Sequence, residues 1–309
     1  MTRFNNEGMK IIKGVAVFSV IVGLFGCLSP PEYSSTPHID DIGAGDLYFV
    51  QASSSGGFDS LFLTLHFKDG DGDLGLSADM SDKPFNANNY YLADGKGGLQ
   101  TIATYTENID VLVRNGQSNV VQTLKLSPIP IVPNGNKAKL VTNRTRKKAG
   151  YETLPTFPSG LGCDSYYYSF DSLIVFPHDT SILDKSIHIS HAYRFADSTV
   201  YVVQDTLYLQ RNEDANNIKI QFFIRQSNNE FQEFDFEKVY CLGFSSRFPV
   251  LSDKTSPVEG TLLYRMGSAG FLSIFGNNDI KIRVQIEDRA LHKSNIVESP
   301  AFKLSAIRR

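Results

Sequence analysis

Ile280-Lys281-Ile282-Arg283-Val284-Gln285-Ile286-Glu287 sets an apolar residue at every second position and a polar one between. Side chains alternate faces along a strand, so this octet predicts a strand with one face in a core and the other in water. Leu61, Leu63, Leu65 and Phe67 repeat the pattern, alternating with Phe62, Thr64 and His66. Further strands are expected at 109–114, 120–126, 199–210, 218–225 and 300–307. Turn-forming clusters separate them, among them Asn134-Gly135-Asn136, Asn228-Asn229 and Gly276-Asn277-Asn278. No long helical stripe interrupts the pattern. One-sided strands must cover their apolar faces with another sheet, so the expected class is all-β and the architecture a two-sheet sandwich.

Segment 85–200 is less regular. It holds Gly95-Lys96-Gly97-Gly98, the proline-bearing Pro128-Ile129-Pro130-Ile131-Val132-Pro133, and the basic run Arg144-Thr145-Arg146-Lys147-Lys148. A stretch of that length needs structure of its own. It is expected to be an insertion, carrying extra strands, in a sandwich spanning 46–307.

The start of the chain reads as an export signal. Met9-Lys10-Ile11-Ile12-Lys13 is followed by an uncharged stretch from Gly14 to Gly26, then Cys27. As a helix the apolar run spans about 20 Å at ~1.5 Å per residue, short of a ~30 Å hydrocarbon core. It therefore reads as a secretory signal over residues 1–26, with Met9 a candidate initiator, rather than as a spanning helix. Leu24-Phe25-Gly26-Cys27 resembles a lipobox, which implies cleavage before Cys27 and a diacylglycerol on its sulfur. Phe25 is untypical there. Residues 27–45 open with Pro30, Pro31, Ser34, Ser35 and Pro37 and read as a tether, about 60 Å at full stretch and roughly 25 Å as a coil.

About 280 residues remain, enough for one large or two smaller cores. The net charge of −3 argues against a nucleic-acid partner. Besides Cys27 the cysteines are Cys163 and Cys241, which in an exported protein form either one disulfide or two buried thiols. Tryptophan is absent, while phenylalanine and tyrosine number 22 and 14, so these rings must supply the aromatic packing.

After Phe67 comes Asp69-Gly70-Asp71-Gly72-Asp73-Leu74-Gly75. Carboxylates at alternate positions, with glycines to let the backbone wrap, suit a hard cation such as Ca²⁺ that takes six to eight oxygens. Asp69, Asp71 and Asp73 match EF-hand positions one, three and five, with the Gly75 carbonyl at seven. Leu74 and Met80 depart from that pattern at positions six and twelve, so Asp79 or Asp82 would have to close the site. A solvated Asp/Gly turn is the competing reading.

FKDGDGDLG after a strand, and a C-terminal strand pair joined by Asp288-Arg289-Ala290-Leu291-His292-Lys293-Ser294-Asn295, resemble immunoglobulin-like lipoproteins common in Bacteroidota. Arg247-Phe248-Pro249-Val250-Leu251 and Val258-Glu259-Gly260-Thr261-Leu262 add to the likeness, which covers roughly 40–85 and 215–307. The resemblance implies an outer-membrane lipoprotein with an immunoglobulin-like sandwich. If 60–67 and 280–287 are its B-type and F-type strands, both end at one pole. Asp288 is then expected beside Asp69, Asp71 and Asp73, as a fourth ligand, or Arg289 neutralises that pole instead. In that lineage acidic residues soon after the lipidated cysteine favour surface export; Leu28 to Pro31 carry none and only Glu32 is acidic, so the resemblance implies the periplasmic face over the cell surface.

No G-x-S-x-G, H-E-x-x-H, P-loop or dinucleotide fingerprint is present, and no small-molecule substrate is indicated. His188 and His191 stand three apart, which on a strand sends them to opposite faces. The expected function is a non-catalytic binding or scaffold subunit of an envelope complex with an outer-membrane protein partner, as in β-barrel assembly or secretion. The alternative is a glycan-binding lipoprotein of a polysaccharide-uptake system, presenting Tyr90-Tyr91 or Tyr166-Tyr167-Tyr168 to sugar.

Overall fold

Ile280–Ile286 is a strand whose four apolar side chains are fully buried. The computed structural model describes residues 32–309 apart from 54–56, 143, 146–165, 170–171, 196–197, 206, 241–242 and 252–255. In chain order the strands begin with β1 (His38–Ile39), β2 (Leu47–Val50), β3 (Asp59–Asp69), β4 (Asn88–Ala93), β5 (Leu99–Ile102) and β6 (Thr104–Asn115). There follow β7 (Ser118–Pro130), β8 (Lys139–Leu140), β9 (Tyr166–Ser169), β10 (Ser172–Val175), β11 (Ile189–Phe195) and β12 (Ser198–Gln204). The last are β13 (Leu207–Arg211), β14 (Ile218–Arg225), β15 (Phe231–Phe234), β16 (Val258–Ser268), β17 (Ile280–Ile286) and β18 (Val297–Glu298). Every named pairing is antiparallel, and the protein is all-β.

Two sheets share the main core. In one, β3 is central, with β16 on one side and β1 and β2 on the other. The second has the order β15-β14-β17-β18. Leu61, Leu63, Leu65 and Phe67 face Ile218, Phe222 and the isoleucines of β17. Each such side chain contributes about 1.5–3 kcal/mol by leaving water. Without tryptophan, phenylalanines fill the space between the sheets. Phe222 lies 5.2 Å from Phe236, 5.2 Å from Phe244 and 5.3 Å from Phe275, centroid to centroid.

The middle of the chain builds a second core from Tyr90, Leu92, Ile102, Leu140, Leu173, Val203, Leu207 and Leu209. Its sheets are β5-β4-β13-β9, with β8 beside β4, and β10-β12-β11; β6 and β7 form a long hairpin. Extra strands in the insertion were expected, and two details differ. The expected strand 199–210 is two, β12 and β13, which leave each other at Asp205 to join different sheets. Residues 300–307 form no strand. Pro300 has no N–H to offer a ladder. Phe302 bridges only to Ile280, and Leu304–Ala306 is a 3-10 turn. Beyond that turn Phe49 N donates to Ile307 O at 2.8 Å, so the tail passes from one sheet to the other and covers the β2 edge.

The β17–β18 turn shows why its residues are Ser-Asn. Ser294 Oγ accepts from Ile286 N at 3.0 Å. The Asn295 side chain accepts from Ile39 N and donates to Ile39 O, each at 2.8 Å, fastening β1 to the turn. Among the described residues no helix is long and apolar enough to cross a membrane.

Candidate metal centre

β3 ends at Asp69 and β17 ends one residue before Glu287-Asp288, and both strands end at the same pole. Asp69, Asp71, Asp73 and Asp288 converge there, one carboxylate oxygen of each lying within 4.8 Å of the others. Asp69 and Asp288 are wholly buried. Leu74 bridges to Asp288, and Leu74 N donates to Asp69 Oδ2 at 3.1 Å, drawing the loop back over its own first carboxylate.

Three oxygens in this cluster, Asp69 Oδ1, Asp71 Oδ1 and Asp73 Oδ1, are buried with no hydrogen-bond partner. A buried acceptor left unsatisfied costs about 1–3 kcal/mol, more when charged. Burial, then the neighbouring Asp71 charge, pushes the Asp69 carboxyl from its ordinary 3.8 up to about 6. Asp73 is likewise pushed up, by burial and then by Asp288. Four carboxylates brought together at a partly buried pole, three of them with unpartnered oxygens, are the donor set of a hard divalent cation.

Asp288 is held by His292, a residue not singled out from sequence. His292 N donates to Asp288 Oδ1 at 2.8 Å, and His292 Nδ1 lies 2.9 Å from Oδ2. A buried carboxylate oriented in this way by an imidazole is the usual outer support of a ligand. Arg289 makes no ion pair with the cluster; its backbone N reaches Asp73 O at 3.4 Å, and its charge lowers the Asp73 carboxyl only as a lesser influence.

One expected ligand is placed otherwise. Asp79 is exposed and outside the cluster. Leu76 is buried and its N donates to Phe248 O at 2.9 Å, so the chain turns away from the pole before it reaches Asp79. The Ser77 hydroxyl, not a neighbouring ligand set, holds the Asp79 carboxyl below its ordinary range. At Gly75 the structure shows a close approach: φ is +112°, and a Cβ would stand 2.4 Å from Pro249 O. Any side chain there would drive the loop off the segment 249–250.

The same loop meets residues 33–34 of the expected tether, whose later part is not free chain, since 38–39 form β1 and Ile39 and Ile42 are buried in the main core. Gly70 N donates to Ser34 O at 2.8 Å, and a Cβ on Gly70 would stand 2.3 Å from Tyr33 O. Tyr33 Oη donates to Glu259 at 2.5 Å. The chain coming from Cys27 therefore arrives at the pole that carries the carboxylates. Cys27, the expected signal segment 1–26, Cys163, Cys241 and Arg146 to Lys148 lie outside the described residues. Arg144, at the start of the basic run, is tied down by Asp205 Oδ2 at 3.8 Å and Ser186 O at 3.3 Å.

Away from this pole an open cleft of about 920 Å³ separates β14 and β15 from the root of the middle segment. Asn88, Gln210, Lys219, Gln221 and Glu233 line its walls, with Phe234 and Phe244 half-buried beneath. Tyr90 and Tyr91, a candidate sugar platform, are instead buried. Exposed His188 precedes β11, in which a bulge intervenes before His191. Comparison with known proteins finds no family model, no curated protein and no solved structure that matches the chain.

Proposed function

We propose that this chain is a lipid-anchored outer-membrane lipoprotein whose immunoglobulin-like sandwich acts as a non-catalytic binding or scaffold subunit of an envelope protein complex. Cys27 carries the diacylglycerol, the folded part faces the periplasm, and Ca²⁺ bound by Asp69, Asp71, Asp73 and Asp288 stiffens the pole. The observation that carries the reading is the contact of the tether, through Tyr33 and Ser34, with the acidic loop. A cation held by Asp69, Asp71 and Asp73, one to three residues from that contact, would fix how the sandwich stands on its anchor, which a scaffold needs and a free binding domain does not. The carboxylates converge on one another and none of them lines the cleft beside β14, so they serve structure better than substrate.

Purification of the full chain from native membranes in mild detergent is expected to recover a reproducible β-barrel partner. Cys27→Ser should release the protein from the membrane fraction and lose that partner. Recovery with no barrel protein, or a Cys27→Ser variant still sedimenting with membranes after a carbonate wash, would overturn the reading.

One observation favours a second reading, glycan binding. The cleft beside β14 sets side-chain amides and carboxylates above half-buried rings, a combination suited to sugar hydroxyls and sugar faces. Calorimetry across a panel of oligosaccharides is expected to show binding that Gln221→Ala weakens; a flat response removes this reading.

A further inference from the structure

The sandwich has four outer edges, and three are short or covered. β15 has four residues and β18 two. β2 has four, and Phe49 is bridged by the C-terminal tail. The fourth is β16, with 11 residues paired to β3 in one unbroken register from Val258↔Asp69 to Ser268↔Asp59. Along it every second residue turns its N–H and C=O away from β3. Among the described residues none of these outward groups has a partner.

Such an edge is a template for another strand, and proteins usually blunt it with proline, lysine, a bulge or a short length. β16 has none of the four. Its only charged residues are Glu259 and Arg265. Both lie on the exposed face of the strand, with Thr261 and Leu263 between them, and Leu263 is 53% exposed.

We propose that β16 pairs antiparallel with β16 of a second copy of this chain, joining the two β3-centred sheets into one across a twofold axis at Leu262. Directly opposed residues in an antiparallel pair share a face, so an exposed residue must oppose an exposed one. That condition admits only registers whose paired numbers have an even sum. Of these, the register centred on Leu262 sets Glu259 opposite Arg265 of the second copy, and Arg265 opposite its Glu259. It also sets Leu263 against Thr261 and closes the outward backbone groups from Val258 to Met266. Shifting by two in either direction opposes neither charge to its opposite. The same patch serves both partners, so the contact closes as a dimer and does not propagate.

Glu259 already contacts Lys68 at 3.7 Å and Tyr33, and Arg265 contacts Ser60 Oγ at 3.1 Å. Both side chains are thus held on the sheet face where the second copy would meet them.

The test is the mass of the full chain in mild detergent, by light scattering over a concentration series. The wild type is expected to dimerise. Glu259→Arg and Arg265→Glu each place like charges opposite one another twice, and each should raise the dissociation constant about tenfold or more. The double variant Glu259→Arg/Arg265→Glu should restore wild-type dimerisation, with melting curves confirming that all four chains are folded. A monomeric wild type at every concentration would overturn the proposal. So would single variants that dimerise normally, or a double variant that fails to recover. None of these results depends on whether a barrel partner is found.

Discussion

Adding millimolar Ca²⁺ to the metal-stripped chain should raise its melting temperature by about 5–10 °C, and Asp71→Ala should abolish the rise. An ion that binds only the folded state stabilises by RT ln(1 + [L]/Kd), about 2.7 kcal/mol at a hundredfold excess over Kd. For a chain of this size each kcal/mol moves the transition by about 2–4 °C. The pH dependence makes the test sharper, because the ion should remove it. Without Ca²⁺, Asp69 titrates at about 6 in the folded state against 3.8 ordinarily, so the folded state keeps a proton that the unfolded chain has released. Stability then falls as pH rises from about 4 through 6 and stays low above, by up to about 3 kcal/mol from this group. With saturating Ca²⁺ the carboxylates stay ionised in the folded state, so this loss should disappear over the same interval and the rise in melting temperature caused by Ca²⁺ should grow with pH. Asp69→Asn separates the two effects. In chelator at about pH 8 it should melt higher than the wild type, having lost a buried repelled charge. In Ca²⁺ it should melt lower, having lost a ligand. Superimposable wild-type curves in Ca²⁺ and chelator, at both pH values, would reduce the loop to a turn.

The strands that bury one face were legible in the sequence because burial imposes period two. Ile280 to Ile286 and Leu61 to Phe67 could hardly be read otherwise, and their ends place Asp288 beside the acidic loop. What could not be read depends on groups without a sequence signature. Asp79 looked as good a ligand as Asp73 by spacing. It is diverted by a backbone hydrogen bond from Leu76 to Phe248, which 171 intervening residues conceal. Residues 300–307 alternate like a strand, but Phe302 and Ile307 serve different sheets, so the alternation reflects two partners rather than one ladder. β16 is not among the strands expected from the sequence. Its even-numbered residues from 258 to 264 are partly rather than fully buried, as expected of an edge, so the apolar period is diluted by Gly260 on one face and Leu263 on the other. His292 has no sequence signature as a partner of Asp288, because four-residue spacing suggests a helix, whereas here a tight turn brings them together.

Arg247 is the side chain whose loss should most damage the fold, and Lys should not replace it. Its Nη1 donates to Ser77 O at 2.6 Å and Met80 O at 2.9 Å, its Nη2 to Phe85 O at 2.9 Å, and its Nε to Ala215 O at 2.9 Å. Those four carbonyls lie where the middle segment leaves the sandwich, over 77–85, and where it returns, at 215. Asn212 adds to the joint by donating to Asn86 O at 2.7 Å. A guanidinium offers five N–H groups in a fixed planar fork, so one residue can hold strands of backbone that approach from different directions. Hydrogen bonds from a charged donor contribute about 1.5–3 kcal/mol each, and removing this donor leaves several carbonyls partly buried and unmatched. They are not additive, and water will reach some of them, so the expected cost of Arg247→Ala is about 4 kcal/mol rather than their sum. Arg247→Lys keeps the charge but places a single ammonium among four acceptors, and should recover less than half of that loss. The damage has a location as well as a size. Phe248, next in sequence, is fully buried against Phe67 at 4.9 Å, so the sandwich core should keep its own transition while the middle segment loosens. Limited proteolysis of either variant should therefore cut first within 77–87 or 212–216, and amide exchange should rise in β4 and β13 before β3 and β17. Uniform loss of protection across both cores would mean that the joint does not separate them. A wild-type pattern in Arg247→Ala would mean that the four hydrogen bonds do not hold it.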